Sequence, residues 1–273
     1  DVEIASLGPL DDVTSLKRIQ FGYCTVSDLS PLANLTNLER ISFTNTEVAS
    51  LGPLSGLTNL KFLSVNHSLV ADASAVTGLP NLTSLSVIYS AVMDVEHLSS
   101  MSQLTGLDLS GNPIEDISPL SALTQLNYIG LDGLGLIDLT PLAGMTEMVQ
   151  IQMGNKQVSD LSPLSGMAGL QYLTAYGNLI SDVSVLLGLS ELTAVSLASN
   201  PLTTSAVTDD LAALENEGVD VDFSYDPTVL QLMGPWVADS VTVNDEPASM
   251  AEFFEWDETV IASHLTVFPD RSY

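Results

Sequence analysis

Positive charge is what this sequence has least of. Its 273 residues hold 6 lysines and arginines against 34 aspartates and glutamates, for a formal net charge of −28. A chain of that sign is repelled by nucleic-acid phosphates and by anionic membrane surfaces, so neither is an expected partner. The same charge keeps the chain dispersed and suits a saline or extracellular setting. Cysteine is nearly absent: Cys24 stands alone, so no disulfide can close within the chain, and the redox compartment is left open. No apolar run approaches the ~20 residues of a membrane-spanning helix. Catalytic patterns are missing as well. His67, His97 and His264 have no metal-ligand spacing. The abundant serines include no Gly-x-Ser-x-Gly elbow. No enzyme chemistry, metal or cofactor is expected.

What the sequence does have is a period. In LTGLDLSGNPIEDISPLSALTQ, residues 104–125, the apolar positions are Leu104, Leu107, Leu109, Ile114, Ile117, Leu120 and Leu123. The spacing is neither a steady 3.6 nor a steady 2. Leu104-x-x-Leu107-x-Leu109 turns side chains inward on a short strand, and Asp116 to Leu120 reads as a tight helical return. One such unit cannot bury its own edges and needs a copy on either side. The copies follow every 22 residues. With Leu104 as position 1, that position recurs at Leu16, Leu38, Leu60, Leu82, Leu126, Met148, Leu170 and Leu192. Nine coils without a slip define a leucine-rich repeat solenoid of the α/β class. Its parallel concave sheet is expected to run roughly 40 Å, with short 3-10 or helical turns on the convex side.

Residues 1–15 match only the return half of a unit. They are either a cap as they stand or a partial repeat whose leader and capping segment have been removed. Removal is preferred because an uncapped coil exposes apolar edge. The array proper is 16–203, and 204–223 reads as a C-terminal cap. There Val207, Leu211 and Leu214 share a helical face, Gly218 stops the helix, and Val219, Val221 and Phe223 alternate as a closing strand. A linker, 224–231, leads to 232–273, where the leucine period ends and both tryptophans lie.

Two ladders cross the coils. Position 9 keeps asparagine only at Asn112, Asn178 and Asn200. Cys24, Thr46 and Ser68 are expected to replace part of its hydrogen bonding; Leu134 and Lys156 cannot, so irregularity is expected near 132–136 and 154–158. Position 13 carries Asp28, Asp72, Asp94, Asp116, Asp138, Asp160 and Asp182, with Ser50 the exception. These carboxylates either collect calcium or cap the turn that follows them. Capping is favoured, since one carboxylate per coil lacks the clustered oxygens that calcium takes.

The unit L-x-x-L-x-L-x-x-N-x-I-x-D-I-S-P-L, as in 104–120, resembles the 22-residue repeat of internalin-type bacterial surface proteins, shared by eukaryotic phosphatase-regulating repeat proteins. The resemblance spans 4–223 and implies an arc that binds another protein. It transfers no ligand residues, because concave positions vary from member to member. In the tail, Gly234-x-Trp236 and Leu265–Tyr273 are similar to the opening of a lipocalin-like domain, too short here to close a barrel.

On each coil positions 4 and 6 face the core, so positions 3, 5 and 7 face the concave side. Candidate ligand-binding residues there and on the rim are Arg18, Tyr23, Arg40, Lys61, Phe62, Tyr89, Tyr128, Tyr172 and Tyr176. Tyr128, Tyr172 and Tyr176 are expected to form an anchor patch, with Arg18, Arg40 and Lys61 as a basic end. Exposed strands favour aromatics in any case, which is the bland account of the same residues. The leading expectation is a secreted or cell-surface bacterial protein that recognises a protein or glycan through its concave face. The alternative is a structural surface component in which copies of the chain self-associate.

Overall fold

The computed structural model describes residues 6–10, 12–135, 138–155 and 157–223, together with the backbone of 241–243 and 246–248. The chain divides into two units, 1–225 and 226–273.

In the first unit each coil extends from position 3. The strands are β1 (Arg18–Gly22), β2 (Arg40–Thr44), β3 (Phe62–Asn66), β4 (Ser84–Ser86) and β5 (Gly106–Asp108). They continue as β6 (Tyr128–Gly130), β7 (Gln150–Gln152), β8 (Tyr172–Thr174), β9 (Ala194–Ser196) and β10 (Asp220–Asp222). All ten pair in parallel, in sequence order, as one sheet. Across the array register is kept position for position: Arg18 faces Arg40, Phe62 faces Ser84, Tyr128 faces Gln150. That register follows from the 22-residue period, because a slip of one residue would turn every inward side chain outward. Behind the sheet the seven apolar positions of the Leu104 unit are all at most 2% exposed. At ~1.5–3 kcal/mol for each fully buried leucine or isoleucine, this burial is the main stabilising contribution of a coil.

The convex returns are short 3-10 turns such as Ser30–Leu32, Gly52–Leu54 and Ser118–Ala122, several with proline where no intrahelical donor is needed. The position-13 aspartates cap them. From Asp28 to Asp182 each Oδ1 accepts the N–H of the residue two on, at 2.7 to 2.9 Å. Ser50 does the same with its hydroxyl, 3.2 Å from the Gly52 nitrogen. Capping, not calcium, accounts for this ladder. Among the described residues no three His, Cys, Asp or Glu side chains are placed to hold a metal ion.

The asparagine ladder joins neighbouring coils. Asn112 Nδ2 donates to Leu109 O at 2.7 Å in its own coil and to Val87 O at 2.6 Å in the previous one, while its Oδ1 accepts from Val92 N at 3.1 Å. Asn178 and Asn200 repeat the pattern. Ser68 bonds across to Ser90 at 2.9 Å. Thr46 corrects the expectation drawn from its sequence position: its hydroxyl is buried without any partner, while the Ser68 hydroxyl one coil on is turned to Ser90. Leu134 fills the asparagine position with a buried apolar side chain. Of the stretches expected to be irregular, residues 136 and 156 lie outside the described residues; β6 and β7 beside them keep register.

After β9, a π-helical segment, Ala206–Leu211, runs into α1 (Ala212–Asn216), burying Ala206, Leu211 and Leu214. Gly218, at φ +92°, turns the chain into β10. In the second unit β11 (Val241–Val243) pairs antiparallel with β12 (Glu246–Ala248). The lipocalin-like expectation for 232–273 otherwise lies outside the described residues. Ala248 closes β12 opposite Val241.

Two outcomes follow. Thr46→Val replaces an unbonded buried hydroxyl with a methyl and should stabilise the fold by about 1 kcal/mol, read as a higher denaturant midpoint at unchanged slope. The second concerns acid. Hydrogen bonds from the residue two on hold Asp28, Asp72, Asp116, Asp138 and Asp182 below the usual carboxylate range, its hydroxyl leading at Asp28 and Asp138 and its N–H at the other three. Folded values lie under the unfolded value of about 3.9, so the caps contribute fully above it and lose their contribution as pH falls through the folded values. Replacing all five with Asn keeps the acceptor but removes the titration. Stability should then fall less steeply than the parent's as pH drops below about 4.

Candidate ligand-binding face

The concave sheet ends in an unusual backbone position. After position 7 the chain turns away, and the position-8 residue takes a left-handed conformation in all nine coils. Its φ is +55° at Tyr23, +53° at Asn45, +50° at His67, +47° at Tyr89, +70° at Gly111, +66° at Gly133, +56° at Asn155, +64° at Gly177 and +58° at Ser199. In the first eight coils a bond to the next coil accompanies it: the position-8 N–H donates to the position-7 carbonyl of the following coil, as from Tyr89 to Ser110 at 2.8 Å and from Gly111 to Asp132 at 2.7 Å. Glycine and asparagine suit this geometry; a side chain with a full Cβ is strained in it by about 1 kcal/mol. Tyr23, His67 and Tyr89 occupy it nonetheless. Tyr23 is 84% exposed and Tyr89 59%, and the His67 and Tyr89 rings stack at 4.8 Å. The sequence places these residues on the rim but gives no sign of the strain.

At the N-terminal end Arg18 and Arg40 stand opposite each other on β1 and β2, both exposed. The Arg40 guanidinium lies over the Phe62 ring, 4.2 Å from its centre. Lys61 behaves differently from the arginines. It and Lys17 clasp Glu39 at 3.0 and 3.2 Å, and their hydrogen bonds, Lys61 first, hold the Glu39 carboxyl below its usual range. Lys61 is therefore committed within the chain.

The centre is a polar network that the sequence reading missed. Asp108 lies on β5 between two core leucines and is only 9% exposed. It fits because Gly130 faces it: a Cβ there would come within 2.4 Å of the carboxyl group. Tyr128 donates its hydroxyl proton to Asp108 Oδ2 at 2.5 Å, with Gln152 Oε1 at 3.1 Å as the alternative acceptor. Burial first, then the Asp108 bond and charge and the charge of Asp132, hold the Tyr128 phenol well above its ordinary value. It stays a protonated donor at neutral pH. Asp132 accepts the Gly154 N–H at 2.5 Å. The Tyr176 ring lies against Gly154, where a Cβ would meet it at 2.4 Å, and the Tyr89 ring lies against Gly111 in the same way, at 2.3 Å. Burial, then Asp132, then Tyr89 raise the Tyr176 phenol. An acid at position 5 opposite a glycine one period later is the signal that would have found this network.

Towards the C-terminal end Tyr172 is 43% exposed. It borders a shallow groove of about 300 Å³ with Gln150, Thr174, Ser196, Asp220 and Asp222. Tyr128, Tyr172 and Tyr176 thus share a face but not a setting. Tyr128 is bonded into the floor, Tyr176 leans on a glycine, and only Tyr172 among the three stands out into solvent.

No protein-family model matches the chain, and no curated protein sequence matches it. Solved structures do. An internalin, inlF, from Listeria monocytogenes is 27% identical with a TM-score of 0.68, over 85% of this chain and 76% of that one. An internalin C2 from the same species is 29% identical with a TM-score of 0.65, over 68% of this chain and 83% of that one. The plant peptide hormone receptor RGFR1, in complex with RGF2, is 16% identical with a TM-score of 0.58, over 78% of this chain and 40% of that one, and shares the fold alone.

The rim strain has a measurable consequence. Tyr23→Asn places at this position the residue that the next coil carries there, and little packing is lost from so exposed a ring. Stability should rise by about 0.5–1 kcal/mol, seen as a higher melting temperature.

Proposed function

We propose that this chain is a non-catalytic binding protein that recognises a protein partner through the concave sheet and its aromatic rim. One observation carries the reading. Tyr23, His67 and Tyr89 are held in a backbone conformation that disfavours them, and all three are displayed to solvent. Packing gives Tyr23 no compensation, so a function outside the fold is the reason for keeping it there. Tyrosine is also the residue that provides large contact area at low entropy cost. The likeness to internalins, and to a plant receptor bound to RGF2, supports a protein or peptide as the partner class. A secreted or cell-surface bacterial setting accords with the internalin likeness and the acidic composition.

The test is positional. A photo-crosslinking residue at Gln150, between Tyr128 and Tyr172 on the sheet, should capture a partner protein that the same residue at Ser165, exposed on the convex turn, does not. For that partner Tyr172→Ala should weaken binding by about 1–3 kcal/mol, mainly through faster dissociation. Equal capture from both faces would move the site off the concave sheet.

A further inference from the structure

Two pairs of basic residues share the first three coils, and only one pair has its counter-ion. Lys17 and Lys61 share Glu39. Arg18 and Arg40 form no ion pair among the described residues, although they sit side by side in register on adjacent strands. Like charges directly opposite each other on a sheet repel. In a chain where acids outnumber bases 34 to 6, a carboxylate for this pair would be easy to supply from within. Among the described residues the chain supplies one to the lysines and none to the arginines.

Their presentation is also specific. The Arg40 guanidinium carbon lies over the Phe62 ring, 4.2 Å from its centre, a cation–π contact. No hydrogen bond among the described residues occupies the guanidinium N–H donors, whose planar fork receives a carboxylate through two parallel bonds. β1 starts at Arg18 and ends in Gly22, which offers no side chain; beyond that far end stands Tyr23, 84% exposed. The surface is therefore a forked cationic pair, an aromatic support beneath it and a free aromatic ring beyond the far end of β1.

We propose that Arg18 and Arg40 receive a side-chain carboxylate from an acidic segment of the protein partner, with Tyr23 covering the segment's flank. The proposal rests on the concave-face reading and names the chemistry of one end of it. The molecule's negative field repels such a segment elsewhere, so the arginine pair sets both where it lands and in which direction it lies.

The experiment uses the full chain and a fluorescent peptide, Gly-Glu-Glu-Tyr-Glu-Glu-Gly, with its all-glutamine counterpart. The glutamate peptide should bind saturably and weaken as salt rises; the glutamine peptide should bind at least 10-fold more weakly. The double variant Arg18→Gln, Arg40→Gln should lose at least 10-fold. Arg40→Lys, which keeps the charge but not the fork, should fall between that variant and the parent. Lys61→Gln should change affinity less than 3-fold, and Ser165→Ala, on the convex turn, should leave it unchanged. These arginines are exposed, so unaltered melting checks that each variant folds. Equal binding of both peptides, or of the parent and the double variant, overturns the proposal. Tighter binding of a heparin hexasaccharide at the same arginines overturns the protein assignment. Failure of the peptide with capture at Gln150 intact rejects the acidic segment alone; loss of both rejects the concave-face reading with it.

Discussion

Everything in the array depends on the edge that one coil shares with the next. A single 22-residue unit has a strand, a turn and a return, but its apolar side chains and half of its backbone groups are satisfied only by a neighbour in the same register. The position-8 N–H reaching the following coil and the Asn112 side chain reaching the preceding one are the polar halves of that dependence. The stacked leucines are the apolar half. Because these constraints act behind and beside the sheet, the outward positions on it are released from folding. That is why Arg18, Ser84, Gly106 and Tyr128 can occupy the same repeat position.

What the sequence reveals follows the same division. Features that belong to one coil were legible: the inward positions, the strand starts and the proline-bearing turns. The aspartate caps were legible as one of two readings, and the hydrogen bonds to the residue two on decide between them. Features that belong to two coils were not legible. Thr46 looked like a substitute for asparagine, yet its hydroxyl finds no partner because the Ser68 hydroxyl one coil on bonds to Ser90. Asp108 looked like a polar residue on a strand, yet its place depends on Gly130 opposite and on the Tyr128 hydroxyl, residues 20 or more positions away. The left-handed rim is hidden for the same reason, since the bond that accompanies it in eight coils is made to the next one. In a repeat protein the informative neighbour of a residue is the one a period away.

Charge is distributed with similar economy. Most of the 34 acids do not take part in any described ion pair; several are turn caps that are needed ionised, and the rest keep the surface negative. Against that background four basic residues on the first three coils produce a strong local contrast. Two of them are tied to Glu39, which anchors the patch, and two are left facing outward. A partner would meet a polarised groove, basic at one end, acidic and aromatic at its centre, and open at Tyr172.

The unbroken register also makes the face a ruler. Arg40 on the second coil and Tyr172 on the eighth are six strand spacings apart, or ~29 Å. The backbone bonds of the sheet recur at equivalent positions in successive coils, so a whole coil can be gained or lost with that ladder intact. Such a change would alter the spacing between the two ends of the groove in steps of ~4.8 Å while each end kept its own chemistry. Reach and recognition are thus separable in this architecture: one is set by how many coils lie between the contact points, the other by what stands on them.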